Sequence, residues 1–141
     1  MAKNTDELFD ALAFEGKLNS TLDETLHVMP TLAHIFNELL EAKSLSKREV
    51  IDASLLNPTY AYEIFSGKKT NPSRNHILQL TLGMGCTLEE TKYVLKHSNV
   101  NPLYPKNTRD AIIIYAINHK HDLSETEELL EKHGESYICR E

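Results

Sequence analysis

The stretch LSKREVIDASLLNPTYAYEIFSGKKTNPS, residues 45–73, reads as two short helices with a sharp turn between them. Ser46 is a strong N-cap, and Glu49 three residues on completes a capping box, so a helix starts there. It turns Val50 inward and ends near Ser54. Asn57 caps the next helix, and Pro58 takes its first position, where a missing N–H costs nothing. That helix runs to Ser66 and stops at Gly67, the usual glycine after a helix end. Tyr60, four residues before Ile64, belongs to the inner face. Tyr62 is two residues from it and therefore faces out.

Working outward, Thr31 to Lys43 is a helix, because Leu32, Ile35, Phe36, Leu39 and Leu40 recur at the spacing of a buried stripe. Downstream the chain repeats with a period of 35 residues: SRNHILQLTLGMGCTLEETKYVL (73–95) aligns without gaps on TRDAIIIYAINHKHDLSETEELL (108–130). Each unit reads as a helix, a short turn and a second helix with its own capping box, Thr87 with Glu90 and Asp122 with Glu125. Two units are too few for a free-standing solenoid, so they are expected to pack on the preceding helices and on each other. The joint SNVNPLYPKN (98–107) reads as a loop inside one domain, with Leu103 and Tyr104 as its anchors on the core. At the other end, Thr5–Phe14 reads as an amphipathic helix and Asp23–Met29 as a weaker one.

The chain thus divides into an acidic segment with a short helix (1–30), a central helical domain (31–97) and a helical hairpin (98–141) on the same core. The fold class is all-α. A chain of 141 residues with 40% hydrophobic and 26% charged residues is in the globular range. The first ten residues lack the apolar core of a signal peptide, and no window is long and apolar enough to span a membrane. The two cysteines, Cys86 and Cys139, have no metal or disulfide spacing and fit a reducing cytoplasm. The net charge of −6 is unevenly spread: residues 31–75 hold six basic against five acidic residues, while both flanks are acidic. The middle is the stretch suited to face a polyanion.

Residues 45–73, with the flanking helices 31–43 and 73–84, resemble the lambda-repressor-like (XRE-type) helix-turn-helix over about residues 31–97. The likeness rests on the LS that opens the second helix, on Val50, Ala61 and Ile64, on Ser66-Gly67, on Lys68 and Lys69, and on the NPS that begins the next helix. The resemblance implies a lambda-repressor-like bundle, extended here by a second hairpin, and a transcriptional regulator that reads double-stranded DNA with helix 57–66 in the major groove. It implies that Lys47 touches phosphate with Arg48 beside it, and that Thr59 faces bases. Tyr62 would stack or hydrogen-bond between them. Ser66, Lys68 and Lys69 would meet backbone or groove edge, and Arg74 would reach phosphate from a helix N-terminus. A homodimer is expected, since one such module reads too few base pairs.

Several residues depart from the family pattern. Leu55 stands where a turn glycine is usual, Ile51 replaces a small residue, Pro58 takes a site often used for base contact, Glu63 adds negative charge, and Thr70 lengthens the loop. These departures and the net charge favour a second reading, an adaptor or antitoxin-like partner that binds protein through the acidic N-terminal segment or the C-terminal repeat. Arg74-Asn75 and Arg109-Asp110, at the start of both units, also read as capping or salt-bridge pairs. His119, His121 and Asp122 lie at a helix end, where histidines are favourable without a metal. No GxSxG, P-loop or HExxH occurs, so neither enzyme activity nor a metal or other cofactor is expected.

Overall fold

The computed structural model describes residues 30–139, so the helices expected at Thr5–Phe14 and Asp23–Met29 lie outside it. The described residues form seven helices and no strand: α1 Leu32–Ala42, α2 Lys47–Ser54, α3 Pro58–Ser66, α4 Arg74–Met84, α5 Leu88–His97, α6 Thr108–Asn118 and α7 Leu123–Lys132. Each begins where a side chain can satisfy the orphan N–H groups of a first turn. Thr31, Ser46, Asn57, Ser73, Thr87, Asn107 and Asp122 all accept from the backbone N–H three residues on, and the capping boxes at Ser46, Thr87 and Asp122 are complete.

The apolar stripe of α1 is buried as its spacing requires, and Phe36 meets Phe65 of α3 with ring centroids 5.8 Å apart. Asn37 Nδ2 donates to Phe65 O at 2.9 Å, which fixes the end of α3 to α1. Lys43 Nζ at the end of α1 lies 3.0 Å from Glu90 Oε1, the carboxylate that also caps α5. The most extensive helix–helix packing is α2 against α4. The chain passes from α2 to α3 through Leu55 in the left-handed region (φ 61) with its side chain 64% exposed. That is the backbone a turn glycine would adopt without strain.

One cluster of buried side chains runs from Leu32 to Ile138, so the second hairpin packs on the same core as the first helices. The two repeat units match in helix length, eleven then ten residues. Their turns match too, with Gly85 (φ 67) and Lys120 (φ 58) at equivalent left-handed positions. They do not stack like repeats of a solenoid. The first helix of each hairpin touches the second helix of the other, α4 with α7 and α6 with α5. The arginines follow the same exchange. Arg74 forms a bidentate pair with Asp110 and donates to the carbonyls of Asn101 and Pro102. Arg109 donates to Asn75 Oδ1 and to the carbonyls of Ser136 and Tyr137. Residues 75 and 110 occupy the same repeat position, as do 101–102 and 136–137, so these bonds are reciprocal in the way of a two-fold interface.

In the joint between the hairpins, Leu103 is buried as expected, but Tyr104 is not an anchor through its ring, which is 57% exposed. What holds this residue is its amide, which donates to Asp110 Oδ2 at 2.9 Å.

Candidate nucleic-acid interface

The capping box at Ser46 starts α2 with its first-turn residues Lys47 and Arg48 in solvent. Asn57 and Pro58 start α3 so that Thr59, Tyr62 and Ser66 fall three and four residues apart, and all three are exposed. They form one outward stripe on α3, opposite the buried Ala61, Ile64 and Phe65. Tyr60 is partly buried on the flank, its hydroxyl hydrogen-bonded to His76 Nδ1 at 2.9 Å.

The loop after α3 is held by short-range bonds. Gly67 takes φ 89 against Ala33, its absent Cβ position 3.7 Å from that residue's Cβ. Ser66 Oγ donates to Glu63 O and accepts from Lys68 N, while Lys69 N donates to Glu63 O at 3.0 Å. Lys68 and Lys69 are thereby presented at the C-terminal end of α3. Lys47 reaches the same end from α2: its Nζ lies 5.9 Å from the centroid of Phe65. The fold therefore brings Lys47, Ser66, Lys68 and Lys69 to one region, with Thr59 and Tyr62 extending along α3 from it.

The charge of this face is partly neutralised from within. Lys68 Nζ lies 3.5 Å from Glu63 Oε2, and Arg48 Nε lies 3.6 Å from Asp52 Oδ2 in an exposed pair. Lys47 and Lys69 form no ion pair among the described residues.

Arg74 does not join this face. All of its guanidinium nitrogens are engaged inward, Nη1 and Nη2 with Asp110 at 3.0 and 2.9 Å, Nε and Nη2 with the Asn101 and Pro102 carbonyls. A planar guanidinium satisfied on this many sides is a joint between hairpins rather than a phosphate hook. The expectation of a phosphate bond at Arg74 is corrected accordingly: Arg74 forms a salt bridge with Asp110, whereas the equivalent Arg109 donates to the Asn75 amide oxygen and to two carbonyls. The identical Arg at positions 74 and 109 was the signal in the sequence.

Elsewhere, His119 stacks on Tyr115 at 3.9 Å and its Nδ1 lies 2.9 Å from Tyr115 O, while His121 Nδ1 lies 3.9 Å from Glu125. Among the described residues no group of three His, Cys, Asp or Glu side chains converges as a metal site, and no helix is long and apolar enough to cross a membrane. Cys86 is buried beside Met84. Cys139 lies in a shallow groove with Leu55, Ser124, Glu128 and Tyr137, and burial, reinforced by its hydrogen bond to Glu127 and that carboxylate's charge, pushes its thiol up to about 12. Comparison with family models, with curated proteins and with solved structures finds no match for this chain.

Proposed function

We propose that the protein is a sequence-specific DNA-binding regulator of the lambda-repressor-like helix-turn-helix kind, working as a homodimer with α3 in the major groove. The observation that carries the reading is the exposed stripe Thr59–Tyr62–Ser66 on α3, with Lys47, Lys68 and Lys69 gathered at its end. The lysines bind phosphates and release counterions, giving affinity without sequence preference. Thr59 in the first turn of α3 meets base edges and supplies specificity. Tyr62 and Ser66 follow along the groove wall, and Arg48 approaches phosphate once its solvent-exposed pair with Asp52 opens.

The test is fluorescence anisotropy of the full chain with the DNA upstream of its own gene at two salt concentrations. Binding that weakens steeply with salt is expected; no salt-sensitive binding overturns the reading.

The second reading, a protein-interaction adaptor with a degenerate helix-turn-helix, is favoured by Glu63 and Asp52, which neutralise Lys68 and Arg48 on the face that would meet DNA. Glu63→Gln separates the two. In a DNA binder it frees Lys68 and raises affinity; in an adaptor it produces no salt-sensitive binding.

A further inference from the structure

The chain enters the described structure at Pro30, and the first turn of α1 sets that entry beside the lysines. Ala33 has its Cβ 3.7 Å from the Cβ position of Gly67, and Asn37 one turn later donates to Phe65 O at 2.9 Å. Three residues of chain span at most about 11 Å. Residues 1–29 therefore join the fold next to the end of α3 that carries Lys68 and Lys69.

Their composition is complementary to that end. Residues 1–29 hold six acids (Asp6, Glu7, Asp10, Glu15, Asp23 and Glu24) against Lys3 and Lys17, a net −4. On the face, Lys47 and Lys69 form no ion pair among the described residues, and Lys68 is 71% exposed with Glu63 at 3.5 Å. The apolar content matches as well. Tyr62 is 44% exposed on α3, and Leu8, Phe9 and Leu12 are interleaved with the acids at 6, 7, 10 and 15. Reach is no obstacle: Glu24 extends at most about 20 Å from Pro30, and Asp6 about 80 Å.

We propose that residues 1–29 dock on the lysine face of their own chain and compete there with DNA. The contact stands apart from the DNA reading; the competition rests on that reading. Each exposed ion pair is weak, but a covalent tether holds the segment at an effective concentration of the order of millimolar, where weak pairs suffice. Duplex DNA carries one charge per about 1.7 Å of its axis, far denser than six acids over 29 residues. DNA therefore displaces the segment, and the cover lowers affinity without abolishing it. Occupying the lysines removes the same phosphate contacts from every DNA sequence, so all sequences lose affinity by one factor, the fraction of chains left uncovered. A base-reading residue such as Thr59 acts differently, on the ratio between sequences.

The test of the contact is carbodiimide crosslinking of the full chain without DNA, read by mass spectrometry at low and high salt. The Lys68–Glu63 pair is the internal positive control. Crosslinks within one chain are expected from Asp6, Glu7, Asp10 or Glu15 to Lys47, Lys68 or Lys69, lost at high salt. They should be several-fold more frequent than those to the equally exposed Lys92, Lys96 and Lys106. An even spread over the lysines, or crosslinks between chains alone, overturns the proposal. The competition is tested with Asp6→Asn, Glu7→Gln and Asp10→Asn combined in the full chain. This variant should bind every DNA sequence about three- to tenfold more tightly. The same charge removed at the exposed Glu89, Glu128 and Glu131 should raise affinity less. Equal rises would assign the effect to the field of the whole protein and overturn the competition. A wild type without salt-sensitive DNA binding removes the functional reading, and the crosslinks still decide the contact.

Discussion

Arg74 and Asp110, 36 residues apart, form a bidentate pair at 2.9 and 3.0 Å, and the equivalent of each one reappears in the bond of Arg109 to Asn75 at 3.1 Å. The two halves of this exchange differ in charge: one acceptor is a carboxylate, the other an amide. They join the hairpins at the same place in the repeat, so their difference in strength is set by that one substitution and by burial.

The charged half is expected to matter more. Asp110→Ala leaves a guanidinium that is only 21% exposed without its counter-ion and should cost about 2–4 kcal/mol. Arg109→Ala removes the donor from three neutral acceptors and should cost about 1–2 kcal/mol. Urea denaturation followed by circular dichroism gives both values. Equal costs, or the reverse order, would show that the charge of Asp110 does not set the difference between the two halves.

On the face proposed to meet DNA, Lys68→Ala with Lys69→Ala should weaken binding to every DNA sequence and lower the salt slope by roughly one for each phosphate left without its lysine. Thr59→Ala should reduce discrimination between sites by about 1–3 kcal/mol instead. Both changes lie at exposed positions and should leave the urea midpoint within error. A Thr59 variant that loses affinity for all sequences alike would remove it from base reading.

Lys120 has φ 58 where Gly85 has φ 67, and nothing lies within 4 Å of the Cβ position at Gly85. Lys120→Gly relieves a left-handed side-chain conformation and should raise stability by about 0.5–1 kcal/mol; Gly85→Lys should lower it by a similar amount. Thermal melts of the two variants check the pair. Shifts of the same sign would mean the turns are not equivalent.

His97, in a tilted ring contact with Tyr93 at 4.3 Å, is held below its ordinary value of 6.5 by burial and then by the charge of Lys96. The unfolded chain therefore binds more protons than the folded one in the window below pH 6.5. The stability due to neutral His97 is complete above that pH and is lost as pH falls through the folded value. His97→Gln should flatten the acid side of a Tm-against-pH curve without changing its neutral plateau. An unaltered curve in the variant would assign the acid response to other groups.

Helix boundaries and the repeat were legible because they rest on local signals: Ser46 with Glu49, Asn57 with Pro58, and the matching capping boxes of Thr87 and Asp122. Leu55, a departure from the turn glycine of the resembled family, adopts the left-handed backbone such a glycine would take. The partners of Arg74 were harder to read. A first-turn arginine looks the same in sequence whether it points at solvent or across to a residue 36 positions away, and the choice is made by tertiary packing. Tyr104 shows the same limit, since its ring is exposed while its amide holds the loop. For the candidate face, exposure of Tyr62 followed from helical phase and that of Thr59 was implied by the helix-turn-helix resemblance, but the pairing of Lys68 with Glu63 depended on how the chain turns after Gly67.

The segment carrying Lys68 and Lys69 is tethered at two points of very different origin. At one end Asn37 grips Phe65 O two residues before Gly67; at the other, Arg74 is gripped by Asp110 and the Asn101–Pro102 carbonyls. The second tether reaches into the C-terminal hairpin, so the loop that carries the lysines runs between α1 and the second hairpin. Asp110→Ala should accordingly speed hydrogen exchange at the amide of Lys69, which donates to Glu63 O, although no bond joins Asp110 to that amide.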